Sequence, residues 1–372
     1  MRSRTVAFII NSLEGGGAER VFAAILDALS ERLSEHQVHV LLLDDREEKY
    51  ALPSYVKAGR LRAQGSLAAS VWRVRRTLRR IAPDVALSFL TRANCANIIA
   101  ALSLKHRCLI SERVNTSSHF GDGLSGKANK IAVRALYPMA DGVLAVSQGV
   151  GEDLVRNFGV PRERIAVAYN PIDVERLHRL AAARGGLDRP PPYLVSAGRL
   201  TPNKNFEVLL QAYALAAPNE ALVILGEGPD RARLETRARE LGVGDRVSFP
   251  GYLDNPYPVI AAASLYICSS NAEGFPNALA EAMALGVPVV STDCPSGPAE
   301  ILAGGLVERP TAVYPARYGV LVEMNDADAL AQGIELALAE PARSDYAARA
   351  AARAADFTVE AASETFWRAL AA

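Results

Sequence analysis

Short apolar segments alternate with helical segments along the whole chain, and this alternation constrains the fold more than any other feature. Several segments are apolar throughout, which is typical of strands buried on both faces of a parallel sheet. The segments between them carry apolar residues at helical spacing, so the order predicts repeated βαβ units. The predicted strands are Thr5–Ile10, Val38–Leu43, Asp84–Phe89, Cys108–Ser111, Val143–Val146, Tyr193–Ala197, Ala221–Leu225, Val247–Phe249, Leu265–Cys268, Pro288–Thr292 and Gly319–Val322.

Length and one stretch rich in helix-breaking residues predict two domains. At 372 residues the chain exceeds what one hydrophobic core usually supports. Proline and glycine are dense between residues 168 and 199, which marks a linker. We therefore predict a first doubly wound domain over residues 1–170, a linker over 171–192 and a second doubly wound domain over 193–345. Residues 346–372 are rich in alanine and arginine and predict a closing helix.

Composition excludes several classes of protein. With 50% hydrophobic and 22% charged residues, the chain is neither disordered nor fibrous. Its apolar runs are far shorter than the roughly 20 residues that a membrane-spanning helix needs. The amino terminus lacks a signal-peptide cleavage site, so we expect a cytoplasmic protein. The four cysteines show no CxxC spacing, which predicts buried reduced thiols and neither a disulfide framework nor a zinc site.

The zero net charge hides an asymmetry between the two halves. Residues 1–175 hold 24 Lys and Arg against 18 Asp and Glu, and the second half is acidic by the same margin. Much of the basic excess lies in residues 71–81, where helical spacing places arginines around an apolar stripe. Two interpretations stay open: Arg73, Arg76 and Arg80 face an anionic membrane surface, or they cover a solvated helix beside a sheet.

Doubly wound sheets bind ligands beyond the carboxyl ends of their strands, so the loops there carry the functional argument. The first such loop contains three consecutive glycines, Gly15 to Gly17, directly before a helix. At Gly16 and Gly17 the backbone can approach a phosphate, although the loop could equally be a tight turn. It matches neither a dinucleotide fingerprint nor a Walker loop.

The second loop follows the first strand of the second domain and reads AGRLTPNKN. Arg199 and Lys204 lie five residues apart there, and Gly198 leaves room for the backbone. Both cations can therefore point at one polyanion, with Asn203 beside them.

The third loop, residues 269–276, leads into a predicted helix. Pro276 suits the first turn of that helix. The free amides of Gly274, Phe275 and Asn277 would then form an anion site at the helix amino terminus.

Two carboxylates flank this anion site. Glu273 lies ahead of it and Glu281 lies about one turn inside the helix. Carboxylates are unsuited to further phosphate but accept hydrogen bonds from hydroxyl groups. The layout fits a ligand with a central diphosphate and hydroxyl-bearing rings at both ends, which describes a nucleotide sugar.

The Glu-x7-Glu pattern, in the setting EGFPNALAEAMALGVPVV, resembles the retaining glycosyltransferases of family 4, which have the GT-B fold. The resemblance extends over the whole chain. It covers GGGAER, NPID at Asn170–Asp173, SAGRLTPNKN, LGEGPDRARLE at Leu225–Glu235 and CPSGPAEIL at Cys294–Leu302. It implies two Rossmann-like domains facing across a cleft, with the closing helix crossing back to the first domain.

The resemblance also implies roles for the residues that match the family motifs. Arg199 and Lys204 would bind the donor diphosphate, Glu273 would contact the donor sugar and Glu281 would hold the ribose. The loop containing Gly16 and Gly17 would close over the donor phosphates. Many members use a histidine near the sugar, and His119 is the candidate here, although its neighbours match that motif poorly.

The resemblance further implies a chemistry. Retention of anomeric configuration is expected, through attack on the same face of the sugar as the departing diphosphate. No metal or other cofactor is required, since Arg199 and Lys204 take the place of a cation. The Asp326-Ala327-Asp328 sequence looks like a metal-binding DxD, but it opens a helical segment, which favours helix capping by Asn325 or Asp326.

The motif sequences look most like those of bacterial members that extend lipid-linked glycans for surface polysaccharides. This implies a UDP-hexose or UDP-N-acetylhexosamine donor, with GDP-mannose still open, and a polyprenyl-diphosphate or glycan acceptor at the inner membrane face. Nucleic acid is not expected as a partner. Two alternatives remain: an epimerase or hydrolase with the same fold, and a non-catalytic protein that binds nucleotide sugars.

Overall fold

The computed structural model describes residues 3–121, 123–183, 187, 192–308 and 312–372. It divides into two compact units. Unit 1 contains the chain up to Pro171 together with its end from Val359, and unit 2 contains Ile172–Thr358. Each unit holds one seven-stranded sheet.

The sheet of unit 1 is parallel throughout and has the order β3-β2-β1-β4-β5-β6-β7. Its central strands are buried on both faces, as their unbroken apolar sequences predict. The strands are β1 (Thr5–Ile10), β2 (Gln37–Leu42), β3 (Val56–Arg60), β4 (Val85–Phe89), β5 (Arg107–Glu112), β6 (Gly142–Ala145) and β7 (Ile165–Val167).

Helices cover both faces of this sheet, because successive residues of a strand point to opposite sides. Val6 and Phe8 of β1 pack with one set of helices, whereas Ala7 and Ile9 pack with another. The helices are α1 (Gly17–Ala28), α2 (Ser30–Leu33), α3 (Leu67–Ile81), α4 (Thr91–Ala101), α5 (Thr116–His119), α6 (Leu124–Leu136) and α7 (Gln148–Phe158). The first face packs against α1, and the second packs against α3 and α4.

Unit 2 repeats this plan with the strand order β10-β9-β8-β11-β12-β14-β13, in which β13 runs antiparallel to β14. Its strands are β8 (Tyr193–Ala197), β9 (Ala221–Leu225), β10 (Val247–Gly251), β11 (Leu265–Cys268), β12 (Val289–Thr292), β13 (Val313–Pro315) and β14 (Val320–Val322). Its helices are α8 (Val174–Ala181), α9 (Phe206–Ala216), α10 (Arg231–Glu240), α11 (Tyr257–Ala261), α12 (Asn277–Ala284), α13 (Pro298–Leu302), α14 (Ala327–Leu338) and α15 (Ala342–Ala354).

The segment predicted as a linker is partly ordered as helix. Within residues 171–192, α8 contacts α11 and α12 and buries Leu177. Its amphipathic sequence gives it a face to bury, so it belongs to unit 2. The Gly185-Gly186 and Pro190-Pro191 steps that predicted the linker lie outside the described residues.

The closing segment forms two helices where the sequence predicts one over residues 346–372. The first, α15, contacts α12 and α14 inside unit 2. The second, α16 (Val359–Ala371), contacts α1 and belongs to unit 1. The helix breaks at Phe357, whose carbonyl accepts a 2.7 Å hydrogen bond from the Ile172 amide. The chain passes between the units after Pro171 and again after Thr358, and this one backbone hydrogen bond joins the two segments.

Aromatic packing attaches α16 to unit 1. Phe366 is fully buried and stacks on Phe89 of β4, with ring centroids 5.7 Å apart. Phe89 in turn meets the edge of Phe22 of α1 at 5.0 Å. The last turns of the chain therefore complete a core that begins at β1.

We predict that Phe366→Ala destabilises unit 1 by about 3 to 5 kcal/mol, since a buried aromatic side chain leaves a cavity. Amide hydrogen exchange measured by mass spectrometry should accelerate in β1 and β4 but not in β8. The matched control is Arg368→Ala, whose side chain is 78% exposed. Equal exchange in the two variants would show that α16 contributes little to this core.

Candidate active site

Three loops of unit 2 meet at one edge of its sheet. The strands β8, β11 and β12 are parallel neighbours, so their carboxyl ends lie side by side. The loops that follow them begin at Gly198, Ser269 and Asp293. The first two of these are the loops in which the sequence predicts the donor site.

The loop after β8 presents two cations in different environments. Lys204 ends a short turn of 3-10 helix, Pro202–Lys204, and is partly buried. A Cβ atom on Gly198 would lie 3.3 Å from the Lys204 side chain, so glycine gives the lysine its space. Arg199 is exposed, and among the described residues its guanidinium has no hydrogen-bond partner.

An ion pair and several hydrogen bonds join this loop to the loop after β11. The Lys204 Nζ lies 2.5 Å from Oε1 of Glu273, and the Ser270 hydroxyl donates to the same oxygen at 2.6 Å. The Asn271 amide donates to the Asn203 carbonyl at 2.8 Å, and the Ser269 hydroxyl donates to the Lys204 carbonyl at 2.8 Å. The structure therefore brings Lys204, Asn203 and Glu273 together.

The charge of Lys204 is stabilised by its partner. Burial by itself lowers the pKa of an ammonium group, but the attraction and hydrogen bond of the Glu273 carboxylate outweigh burial. The pKa of Lys204 is therefore raised above its ordinary value. The ammonium stays charged at neutral and moderately alkaline pH.

The two carboxylates of the Glu-x7-Glu pattern lie near one buried tyrosine. Glu281 is buried in α12 at 7% exposure. Burial raises the pKa of Tyr266 well above its ordinary value, and the negative charges of Glu273 and Glu281 contribute to that rise. Tyr266 thus lies within electrostatic range of both carboxylates.

The entry to α12 differs by one residue from the prediction. Pro276 occupies the N-cap position and the helix begins at Asn277, whereas the sequence predicts proline in the first turn. The Gly274 and Phe275 positions precede the cap and are buried. Among the described residues, the backbone amide of Ala278 in the first turn has no hydrogen-bond partner.

The loop after β12 holds Glu273 from a third side, which the sequence analysis missed. The Ser296 hydroxyl donates to the Glu273 carbonyl at 2.6 Å. Gly297 has φ +96°, and a Cβ there would lie 2.6 Å from Cδ of Pro276. In the sequence, only the CPSGP motif points to this contact, because Ser296 lies 23 residues from Glu273.

A second contact that the sequence analysis missed joins the loop after β11 to the end of unit 2. The Phe275 ring meets Phe357 edge to face at 5.2 Å. Arg353 of α15 lies over Phe357 at 4.7 Å and donates to the Glu300 carbonyl of α13 at 2.8 Å. The loop after β11 therefore packs against Phe357, the residue whose carbonyl accepts the hydrogen bond from the Ile172 amide.

The remaining predicted site residues lie in unit 1. Gly16 is the N-cap of α1 and Gly17 its first residue, and both are exposed. The Glu19 carboxylate folds over this terminus, because a Cβ on Gly16 would lie 2.2 Å from it. His119 ends α5 and is exposed, and its ring contacts Phe120 at 5.1 Å. Partial desolvation lowers the pKa of the His119 imidazole, so it is neutral at pH 7.

The arginines predicted to face a membrane do not all point outward. Arg73 donates hydrogen bonds to the carbonyls of Leu61 and Arg62, at 2.8 Å for the latter, and is therefore held against its own unit. Arg76 is exposed and lies over the Trp72 ring at 5.5 Å. Arg80 is exposed. The three arginines therefore differ in their contacts, and that they face a membrane stays a prediction.

Two predictions about structural residues are confirmed. The Asp326 carboxylate accepts a 2.9 Å hydrogen bond from the Ala329 amide, so it caps α14. All four cysteines are buried and free of disulfides. Within the described ranges, no three His, Cys, Asp or Glu residues cluster as metal ligands would. The helices of those ranges include none long and apolar enough to cross a bilayer.

We predict that Lys204→Met costs about 2 kcal/mol of unfolding free energy, because it leaves the Glu273 carboxylate nearly buried without a counter-ion. The cost is below that of a fully buried pair, since the Lys204 side chain is 28% exposed. Adding Glu273→Gln should restore most of the loss in denaturant unfolding. The control is exposed Lys105→Met, and a Lys204→Met cost no larger than that control would refute the prediction.

Two family models together match nearly the whole chain. Residues 15–176 match the model described as Glycosyltransferase Family 4, and residues 181–355 match the model described as Glycosyl transferases group 1. Their boundary falls close to the division between the two units at Pro171.

Curated relatives align over almost all of the chain. It is 30% identical over 364 residues to the N-acetylgalactosamine-N,N'-diacetylbacillosaminyl-diphospho-undecaprenol 4-alpha-N-acetylgalactosaminyltransferase of Campylobacter jejuni, covering 95% of each chain. It is 27% identical over 316 residues to the lipopolysaccharide 1,6-galactosyltransferase of Escherichia coli, covering 80% of this chain and 82% of that one.

Solved structures share the fold at low sequence identity. Sucrose-phosphate synthase of Thermosynechococcus elongatus superposes with a TM-score of 0.82 at 20% identity, covering 99% of this chain and 98% of that one. Anabaena HepE in complex with UDP superposes with a TM-score of 0.75 at 21% identity, covering 99% of each chain. These likenesses confirm the predicted GT-B fold of two Rossmann-like domains. The chain therefore belongs to the glycosyltransferases, with a family 4 region in its first half and a group 1 region in its second.

Proposed function

We propose that this protein is a retaining, metal-independent glycosyltransferase that moves a hexose or N-acetylhexosamine from a UDP-sugar to a lipid-linked or polysaccharide acceptor in bacterial surface-glycan synthesis. One observation carries the proposal. Two cations, Arg199 and Lys204, lie at the same sheet edge as the Glu273 and Glu281 carboxylates. A diphosphate between two hydroxyl-bearing rings needs this combination of charges.

The cations stabilise the charge that develops on the leaving group. When the bond between the anomeric carbon and the phosphate oxygen breaks, the sugar ring becomes positive and the nucleotide diphosphate becomes more negative. Arg199 has no competing partner among the described residues, and Lys204 carries a stabilised charge. Together with the amides at Gly274 and Asn277 they provide fixed electrostatic stabilisation of the departing diphosphate.

The carboxylates orient the two ends of the donor. In the proposal Glu273 accepts hydrogen bonds from the donor sugar, and Glu281 accepts them from the ribose. The Ser270 hydroxyl and Lys204 already hold Oε1 of Glu273, which leaves its second oxygen for the sugar. The residues of unit 1 complete the assignment, with Gly16 and Gly17 at the donor phosphates and the neutral His119 beside the sugar. A His119→Asn variant with unchanged kcat would remove that residue from the site.

Retention is proposed to occur without a covalent intermediate. The leaving phosphate accepts the acceptor's proton while the acceptor oxygen attacks the same face of the sugar. No carboxylate among the proposed site residues is assigned as a nucleophile, because Glu273 and Glu281 are already engaged with the sugar and ribose. A glycosyl-enzyme adduct on either carboxylate, seen by mass spectrometry, would overturn this step.

The choice of donor and acceptor rests on the relatives. The Campylobacter relative is named for a glycan on diphospho-undecaprenol, and the Escherichia coli relative is named a lipopolysaccharide galactosyltransferase. The Anabaena structure contains UDP. We therefore propose a polyprenyl-diphosphate acceptor and peripheral association with the inner face of the plasma membrane, with the exposed arginines of α3, Arg76 and Arg80, toward the lipid.

We predict release of UDP when the purified protein meets a UDP-sugar and a polyprenyl-diphosphate-linked sugar, with EDTA present. A panel of UDP- and GDP-sugars, with and without acceptor, identifies the donor. Release that is equally fast without acceptor would indicate an epimerase or hydrolase. Donor binding without turnover on any acceptor would indicate a non-catalytic binding protein. Activity abolished by EDTA and restored by a divalent cation would contradict metal independence.

We predict that Arg199→Ala lowers kcat by about 10²- to 10³-fold, since it removes one fixed cation from the leaving diphosphate. Its stability should stay within about 0.5 kcal/mol of wild type, because the side chain is exposed. The matched control is Arg239→Ala, an exposed arginine of α10. If both variants keep wild-type kcat, Arg199 does not act on the leaving group.

A further inference from the structure

One helix of unit 1 presents an apolar stripe to solvent. On α6 the exposed residues Leu124, Ala128, Ile131 and Ala135 follow at spacings of four, three and four, which places them on one face. Leu124 is 90% exposed and Ile131 is 69% exposed. Most of the surface of these two large apolar residues is therefore left uncovered by unit 1.

Cations border this stripe, and α6 itself contains neither Asp nor Glu, although α7, which contacts it, carries Glu152 and Asp153. Lys127 and Arg134 are exposed one turn before and one turn after Ile131, and helical spacing places both on the same side of the stripe. The helices α3, α4 and α6 together contain nine Lys and Arg and no Asp or Glu. By contrast α1 and α16, which share the other core of this unit, carry Glu19, Asp27, Glu360 and Glu364.

These three helices form one layer on the sheet. Helix α4 contacts both α3 and α6. The crossovers from β4 to β5 and from β5 to β6 proceed in the same direction along the sheet, so right-handed connections put α4 and α6 on the same face. Leu102 at the end of α4 is 60% exposed, and Trp72 of α3 is 59% exposed beneath Arg76. The apolar and basic side chains therefore share a surface.

This combination fits a lipid surface better than water. Single exposed leucines are ordinary, as at Leu215 in unit 2, which is 57% exposed. A helix with an apolar face, a cationic border and no acidic residue has the composition of helices that lie at the boundary of headgroups and acyl chains. Anionic headgroups supply the negative charge that α3, α4 and α6 lack.

We propose that α6 docks this protein on an anionic bilayer, with Leu124 and Ile131 entering the headgroup boundary and Lys127 and Arg134 on the lipid phosphates. Trp72 and Arg76 of α3 make a second, shallower contact. The inference deepens the proposed function, since it names the surface by which the enzyme reaches a lipid-linked acceptor. It extends the membrane contact from α3, where the sequence predicts it, to α6.

The test is co-sedimentation of the full chain with vesicles of phosphatidylcholine, with or without phosphatidylglycerol. Wild type should bind the anionic vesicles, and binding should weaken at high salt. The double variant Leu124→Ser with Ile131→Ser should lose at least tenfold in affinity, whereas the matched control Leu215→Ser should not change. The blue shift of Trp72 fluorescence on binding should diminish in the double variant, with Trp72→Phe giving the baseline.

Each other outcome counts against the proposal. Equal binding of both vesicle types would remove the role of the cations, and an unchanged double variant would remove the role of α6. Dimerisation that the double variant abolishes, without vesicle binding, would assign the stripe to a second copy of the chain. Transfer to a short-chain acceptor in solution reports the proposed function separately, because it needs no bilayer. Loss of vesicle binding with that transfer intact would overturn only this inference.

Discussion

The parallel pairing of β8, β11 and β12 is the constraint on which the site depends. It brings three loops, distant in sequence, to one edge of a sheet. The ion pair between Lys204 and Glu273, with Ser270 and Ser296 on the same residue, holds them in register. The charges that hold the free site together are also those assigned to the donor.

This double use has an energetic consequence. Burial alone would lower the pKa of a lysine at this depth, whereas here Glu273 raises the pKa of Lys204 before any ligand binds. Arriving phosphate oxygens must share or replace that carboxylate, so part of the binding energy is offset by the pair they disturb. Arg199 bears no such cost, since it is exposed and unpaired among the described residues. The two cations thus differ in kind, one positioned in advance and one recruited by the ligand.

Much of the fold could be predicted from the sequence, and the misses share physical causes. Strands buried on both faces were predicted because their apolar runs are unambiguous. The strands β3, β7 and β13 were missed because each lies at the edge of its sheet, where polar residues are tolerated. The alanine-rich closing segment shows no breaker at Phe357, so its division into two helices was invisible. The positions of Arg199, Lys204 and the two glutamates on their elements followed from motif spacing, but Ser296 and the binding of Arg73 to backbone carbonyls depend on contacts distant in sequence.

The return of the chain to unit 1 has a consequence for its synthesis on the ribosome. Unit 2 is one continuous stretch, whereas unit 1 needs its last 14 residues to fill the core around Phe89. The second domain to be translated can therefore finish folding before the first. Until α16 emerges, Phe22 and Phe89 border an open apolar groove on the nascent chain, and a ribosome stalled before that point would leave it exposed. The core of unit 1 is complete, and the groove is covered, only after α16 has emerged and packed.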